Sequence, residues 1–506
     1  DAVVAVPGRG AGWRRRLLAP VVPSGPVVTR RWARVALVAG IVAFATYYGI
    51  TAVVAHNRFN KYTFDLGIFD QGLWLMNRFK SPFISLIGRH LFGDHTSFIL
   101  VTLVPLYWVG ASAKVLLIVQ AGILGLAAWP VFLIARDLLR DERIAAVLSA
   151  AFLLQPALGW AAREQFHPDV FEVPLLLFAL WFMLRRRWVG FFVFVGLALL
   201  VKEDVPLLTF VLGLYVAVRY SRKVGLATAA VSALYFAFAV YVVLRHFNGV
   251  GTLNTWRVPF GGPGGLLSTL FSHPGEVVGY LVSEGRPWYL WQMLAPLALL
   301  PLLAPGMMLI AVAPILANLA SNFWYQHSIE YHYQTLILPV LALAAAAGLA
   351  RFGHRRIRAS LSAAALAAAI SGTALWGPPL ADPYYGGYTD APSPTAIQAA
   401  LDTVPSDAIV SAYMRFPTHL AHRDGIYALP NPFQASYWGV GDTMRGQRQP
   451  EADTVQYVIV PTHALSGEID EGVVEELRRD FEIIHHSDGV LVFRRFEACG
   501  WARSPR

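Results

Sequence analysis

Thr96-Ser-Phe-Ile-Leu-Val-Thr-Leu-Val-Pro-Leu-Tyr-Trp-Val-Gly-Ala-Ser-Ala113 decides the fold. The stretch carries no charge and is nearly long enough to cross a bilayer. If it crosses, the arginine clusters at 136–143, 185–187 and 219–223 all fall outside the cell. If it lies at the interface or re-enters, every arginine cluster stays inside, as cytoplasmic loops require. Pro105, Tyr107 and Trp108 suit an interfacial position, so the stretch is read as interfacial or re-entrant.

The rest of the chain follows from that choice. Apolar runs at 35–55, 115–135, 144–162, 224–244, 331–350 and 359–381 read as spans, and 287–329 has the length of two, with a break near Pro301, Pro305 and Gly306. Runs at 170–184, 188–201 and 205–218 are shorter, with charge at their ends. The reading is a multi-pass α-helical membrane protein of about 11 spans, with the N-terminus inside and a C-terminal extracytoplasmic α/β domain outside. Residues 1–34 form a basic cytoplasmic segment and 35–376 the membrane domain, whose first outer loop is 56–114. Residues 377–395 are a linker and 396–506 the outer domain.

Composition agrees. The 506 residues are 56% hydrophobic and only 14% charged, where soluble domains are nearer a quarter charged. Mean hydropathy is +0.49. Disorder and a disulfide scaffold are excluded; the single cysteine, Cys499, cannot close an internal bridge. The net charge of +9 is explained by arginine-rich inner loops rather than nucleic acid. Arginine greatly outnumbers lysine, which suggests a GC-rich bacterium. No cleavable signal peptide is expected, because the first apolar run starts late and is long.

The arginine-based topology also sorts the acids and histidines. Asp65, Asp70, Asp94 and His95 fall outside, as do Glu164, His167 and Asp169. So do Lys202, Glu203 and Asp204, the loop from Arg245 to Arg286, and Glu330 with His332. Ionisable groups near membrane depth are costly and line polar sites. Four such groups on one face point to a cavity opening outward. In the tail, 409–412, 426–428, 457–460, 481–484 and 490–493 read as short strands and 468–479 as a helix. Ser487-Asp488-Gly489 signals a hairpin turn. No glycine fingerprint for nucleotide phosphate stands between a strand and a helix.

Residues 64–76 read as a helix in the first outer loop, with Phe64, Ile68 and Leu75 on a membrane-facing side. Asp65 near its start is either a cap or a general base whose pKa is raised by partial burial. Carboxylates with water suit magnesium or manganese, and histidines add a preference for zinc-like ions. A divalent metal held by His95, His167 and His332 with Asp94, Asp169 and Glu330 is thus one reading; Asp94, His95 and Asp169 are its weaker core. Satisfied cavity histidines are the other. Glu164 and Glu172 are hydrogen-bonding ligands for a bound molecule, or a helix cap and an internal polar contact, and the loop with Arg245, His246 and Arg257 is a phosphate clamp or a solvated face. Trp324, Tyr325, Tyr331 and Tyr333 are a stacking surface for a ligand or ordinary interfacial rings. His419 and His422 are read as structural.

A carboxylate after the first span, interfacial helices and an outer α/β tail together resemble the GT-C glycosyltransferases. More narrowly, Phe64-Asp-Leu-Gly-Ile-Phe-Asp-Gln71, Gly93-Asp-His95, Phe166-His-Pro-Asp-Val-Phe-Glu-Val-Pro174, Lys202-Glu-Asp204 and His419-Leu-Ala-His-Arg-Asp424 are similar to a bacterial membrane family, domain of unknown function 2079. Thr96-Ser-Phe98 departs from its pattern. The resemblance implies sugar transfer from a polyprenyl-phosphate donor to an envelope glycan, lipid or protein, with inversion. It implies Asp65 as base and Asp70 as the second choice. Lys202, Arg89 and Arg58 are implied to face the donor phosphate, with His95, Glu164, His167, Asp169, Glu203 and His332 around the substrate. A lysine paired with Glu203 or snorkelling is the plainer role for Lys202. The rivals are a transporter or flippase of a lipid-linked precursor, and a non-catalytic scaffold.

Overall fold

The computed structural model describes residues 22–23, 25–59, 64–378, 392–437 and 445–496. Arg14 to Arg16, most of the linker and Cys499 lie outside them. The chain forms two compact units. The first takes Asp1–Ala52, His95–Leu100 and Ile118–Pro379; the second takes Val53–Asp94, Val101–Leu117 and Leu380–Arg506.

Among the described residues, four helices are long and apolar enough to cross a bilayer: Arg31–Asn57, Ala113–Leu139, Arg222–Asn248 and Arg355–Trp376. Glu142–Leu153 and Pro156–Arg163, bent by 52°, make a fifth candidate. The bend falls where Pro156 lacks an N–H to continue the ladder. Other apolar helices are shorter, among them Trp188–Leu199, Val205–Arg219, Pro305–Ala320 and Leu338–Ala350. Val35, Val38 and Val42 are exposed at helical spacing on the first helix, a stripe suited to lipid rather than water.

The run at 287–329 does not form two long spans. Pro296, Pro301 and Pro305 break it into Arg286–Leu294, Leu300–Leu303, Pro305–Met308 and Val312–Ala320, with short 3-10 turns between. The deciding stretch is a 3-10 turn, Phe98–Leu103, running into a short helix, Val104–Trp108. Gly110, at φ +88°, ends it, and at this length it does not span.

Val205–Arg219 and Arg222–Ala237 form a tight helical hairpin. A Cβ on Gly213 or Gly225 would strike the backbone of the facing helix at Ala229 or Ala217. Small residues permit that approach between membrane helices.

In the second unit the helix Phe64–Asn77 has Leu66 to Leu73 buried together with Leu75. Ile68 and Leu75 therefore pack inside the protein rather than facing lipid. The reason is that both faces of this helix are covered, so its apolar residues give no lipid-facing stripe. A ribbon follows, β1 (Phe83–Ile84) with β2 (Arg89–His90), turning at Gly88 with φ +63°.

The tail builds a five-stranded sheet from β3 (Val410–Ala412), β4 (Ile426–Ala428), β5 (Tyr457–Pro461), β6 (Phe481–Ser487) and β7 (Val490–Arg495). The order is β4-β3-β5-β7-β6. β3 is parallel to β4 and β5, and β7 is antiparallel to β5 and β6. All five strands match the sequence expectation, as does the turn at Asp488 and Gly489. The helix Glu471–Asp480 starts at an Asp470 cap. Pro394–Asp402, capped by Ser393 with proline at its start, is a helix the sequence reading had left to the linker boundary.

Ser85 fastens this sheet to the segment that precedes it in the same unit. Its hydroxyl donates to the Ile426 carbonyl at 2.7 Å and accepts the Ile426 N–H at 2.8 Å. Gln71 Nε2 donates to Ser85 Oγ at 3.0 Å and to the Arg423 carbonyl at 3.3 Å. An edge strand is thus satisfied by side chains rather than left open.

Candidate functional site

In the first unit the functional groups gather at helix ends. Trp188–Leu199 ends, and Lys202, Glu203 and Asp204 form the turn before Val205–Arg219, whose Pro206 sits in its first turn. Lys202 Nζ donates to Asp169 Oδ1 at 2.7 Å, with both side chains about 95% buried. Asp204 lies 3.8 Å from the same ammonium. Burial opposes charge on Asp169, yet Lys202 outweighs it and holds the carboxyl well below its usual range. Burial pushes the Asp204 carboxyl up to about 6 despite Lys202, with Asp169 and Glu203 adding to the rise.

Glu203 turns elsewhere. Its Oε1 meets His95 Nδ1 at 2.7 Å and its Oε2 accepts the Thr96 N–H at 3.0 Å. The ion pair expected between Lys202 and Glu203 is thus replaced by one with Asp169. The direction of the Lys202 side chain, which sequence does not state, decides this. The lysine charge is already met by two carboxylates, which weakens its expected role toward a donor phosphate.

Beside this pair lie His332, His167 and Glu164. The His167 and His332 rings stack with centroids 3.7 Å apart. His332 Nδ1 is 3.3 Å from both Glu164 oxygens, and its Nε2 is 3.9 Å from Asp169 Oδ1. Gln120 fixes the Glu164–His167 turn. Its amide donates to the carbonyls of Glu164 and Gln165 at 3.0 and 3.2 Å, and its oxygen accepts the His167 N–H at 3.0 Å. Glu172 Oε2 is 2.8 Å from the Thr335 hydroxyl.

Arg257 comes from the loop after Arg222–Asn248. Its guanidinium lies 4.5 Å over the Phe323 ring, with Trp256 at 5.5 Å and Tyr333 at 5.9 Å. Tyr333 also lies 5.7 Å from Lys202 Nζ. The Asn322 N–H donates to the Arg257 carbonyl at 2.7 Å, and Asn322 Nδ2 donates to the Trp256 carbonyl at 3.1 Å. The buried Arg257 Nε has no hydrogen-bond partner among the described residues, so a cation with aromatic walls keeps a donor to offer.

In the second unit Asp65 is half-buried in the first turn of Phe64–Asn77. Asp70, one turn on, is buried. It accepts from the Tyr107 hydroxyl at 2.7 Å and meets His422 Nε2 at 3.1 Å. Burial, followed by the Asp70 charge, pushes the Tyr107 phenol up, so it stays a donor. Arg89 Nε donates to Asp94 Oδ1 at 3.0 Å, and Arg58 is exposed. His419 stacks on His56 at 4.0 Å, and burial pushes its pKa well below the usual histidine range.

The expected metal core of Asp94, His95 and Asp169 is not the one that assembles. Asp94 is engaged by Arg89, His95 by Glu203 and Asp169 by Lys202. Among the described residues, the group with ligand atoms close enough for one ion is Glu164, His167 and His332, all within 4.8 Å. Tyr107, Gln120 and His422 were missed as site residues. The pairing of His422 with Asp70 joins positions 352 apart, beyond any local sequence signal.

The family described as predicted membrane protein (DUF2079) matches residues 55–492. Among curated proteins no match was found. The crystal structure of ArnT from Cupriavidus metallidurans in the apo state aligns with a TM-score of 0.54 at 15% identity, covering 85% of this chain and 92% of that one. The same protein bound to undecaprenyl phosphate gives 0.50 at 13%, covering 91% and 98%. At such identities the likeness shows the fold alone, a helical membrane fold like that of ArnT.

Proposed function

We propose, for a chain that belongs to the DUF2079 family of predicted membrane proteins, the activity of a membrane glycosyltransferase. The donor is a polyprenyl-phosphate sugar and the acceptor an envelope glycan, lipid or protein outside the cytoplasmic membrane. Asp65 takes the proton of the acceptor hydroxyl. The oxygen attacks the anomeric carbon, the carbon–oxygen bond to phosphate breaks, and the lipid phosphate leaves with the electron pair. Attack opposite the leaving group inverts the anomeric centre. Asp70 does not serve as base in this reading, because its Oδ1 is engaged by Tyr107 and His422.

The observation that carries the reading is Arg257. A guanidinium stacked on Phe323, with its Nε lacking a partner among the described residues, suits a phosphate oxygen. It takes the role that Lys202, already paired, fits less well. The fold, shared with a protein crystallised with undecaprenyl phosphate, supports a lipid-phosphate donor. The test is equilibrium binding of undecaprenyl phosphate to the purified chain in nanodiscs. Arg257→Gln weakens it roughly 10- to 100-fold, the worth of one charge-assisted hydrogen bond. Unchanged binding removes Arg257 from the donor site. Lipid movement across the bilayer with no sugar release would favour a flippase.

A further inference from the structure

We propose that Glu164, His167 and His332 form a binding site for a zinc-like divalent transition ion. The proposal does not depend on the transferase reading.

The hydrogen bonds select the ligand atoms. His167 Nδ1 lies 2.9 Å from the Gln165 carbonyl. A carbonyl only accepts, so Nδ1 carries the proton and Nε2 keeps its lone pair for an ion. His332 Nδ1, 3.3 Å from both Glu164 oxygens, donates to that carboxylate in the metal-free chain. An ion held between the two replaces this hydrogen bond and leaves the ring proton on Nε2, which faces the Asp169 carboxylate at 3.9 Å. The ligands are therefore Glu164 carboxylate, His167 Nε2 and His332 Nδ1. Behind the two histidines stand a backbone carbonyl and a carboxylate, the acceptors that orient ligating imidazoles and raise their basicity. Lys202 Nζ donates to that carboxylate at 2.7 Å.

The site is also held before any ion arrives. Gln120 ties the Glu164–His167 turn through three hydrogen bonds, and His332 is buried. Two nitrogens and one carboxylate favour zinc over magnesium, which prefers an all-oxygen octahedron. The set leaves the fourth tetrahedral position for an oxygen ligand such as water.

The test uses full-length protein in nanodiscs, purified by a tag without histidine and stripped with chelator. Zinc binding is measured by metal content after desalting, and cobalt(II) by the visible bands of a four-coordinate site. The expected result is one zinc per chain, the cobalt bands, and a higher unfolding temperature with zinc but not with magnesium. His167→Ala and Glu164→Gln abolish the bands. Asp169→Asn keeps them but weakens zinc binding about 10- to 100-fold. Wild-type protein with no stoichiometric zinc overturns the proposal, whatever the variants do. Equally, zinc bound by a folded His167→Ala variant as tightly as by wild type overturns it.

Discussion

His422 Nε2 lies 3.1 Å from Asp70 Oδ1, the same oxygen that accepts the Tyr107 hydroxyl at 2.7 Å. One buried carboxylate thus gathers a tail histidine and a tyrosine of the short helix Val104–Trp108. Asp70→Ala strands the buried Tyr107 hydroxyl and destabilises the second unit by about 1–3 kcal/mol. Tyr107→Phe costs less, about 1 kcal/mol, because the carboxylate keeps His422. Denaturant unfolding of both single variants and the double variant checks this. Strict additivity would show that the two side chains do not interact.

Lys202 and Asp169 form a buried pair. Lys202→Met leaves the carboxylate unpaired and costs about 3–5 kcal/mol. Adding Asp169→Leu to it removes the orphan charge and restores most of the loss. Unfolding midpoints in detergent test the order. A double variant as unstable as Lys202→Met alone would contradict it.

Asp204 sets a pH dependence. Its carboxyl titrates at about 6 in the folded chain against an ordinary value of 3.8. Between those values the folded state holds more protons than the unfolded state. Stability from this group therefore falls as pH rises from about 4 to about 6, and levels off above. Asp204→Asn flattens that slope and raises the unfolding midpoint at neutral pH. The check is a midpoint series across that range; identical slopes in both proteins would refute the assignment.

The tail was the most legible part of the sequence. Val410, Ile426, Tyr457 and Val490 sit in short β-rich runs bounded by turn residues, so local pattern sufficed. For 96–113, charge bookkeeping elsewhere in the chain argued against a span, and the short pieces Phe98–Leu103 and Val104–Trp108 accord with that. In 287–329 the break expected near Pro301, Pro305 and Gly306 is present, while the lengths of the pieces, which an uncharged run does not report, are set by Pro296, Pro301 and Pro305. Ile68 and Leu75 were read toward lipid because an apolar side chain looks the same whether protein or bilayer covers it. Glu164, Asp169, Lys202 and His332, named in the sequence at helix ends, come together in the first unit, whereas Asp70 sits within its helix. The pairings were not legible, because Lys202 chooses Asp169 over its neighbour Glu203 through side-chain direction. Arg257 and His422 depended on rings and carboxylates far away in sequence.

The central claim is base-assisted sugar transfer, and Asp65 tests it most directly. Wild type and Asp65→Asn, both folded in lipid, are supplied with a panel of polyprenyl-phosphate sugars and envelope acceptors. Released lipid phosphate and glycosylated acceptor are counted together. The account predicts matched release and transfer by wild type, with loss of 10²-fold or more in Asp65→Asn, the usual worth of a general base. Full turnover by a folded Asp65→Asn variant would contradict it.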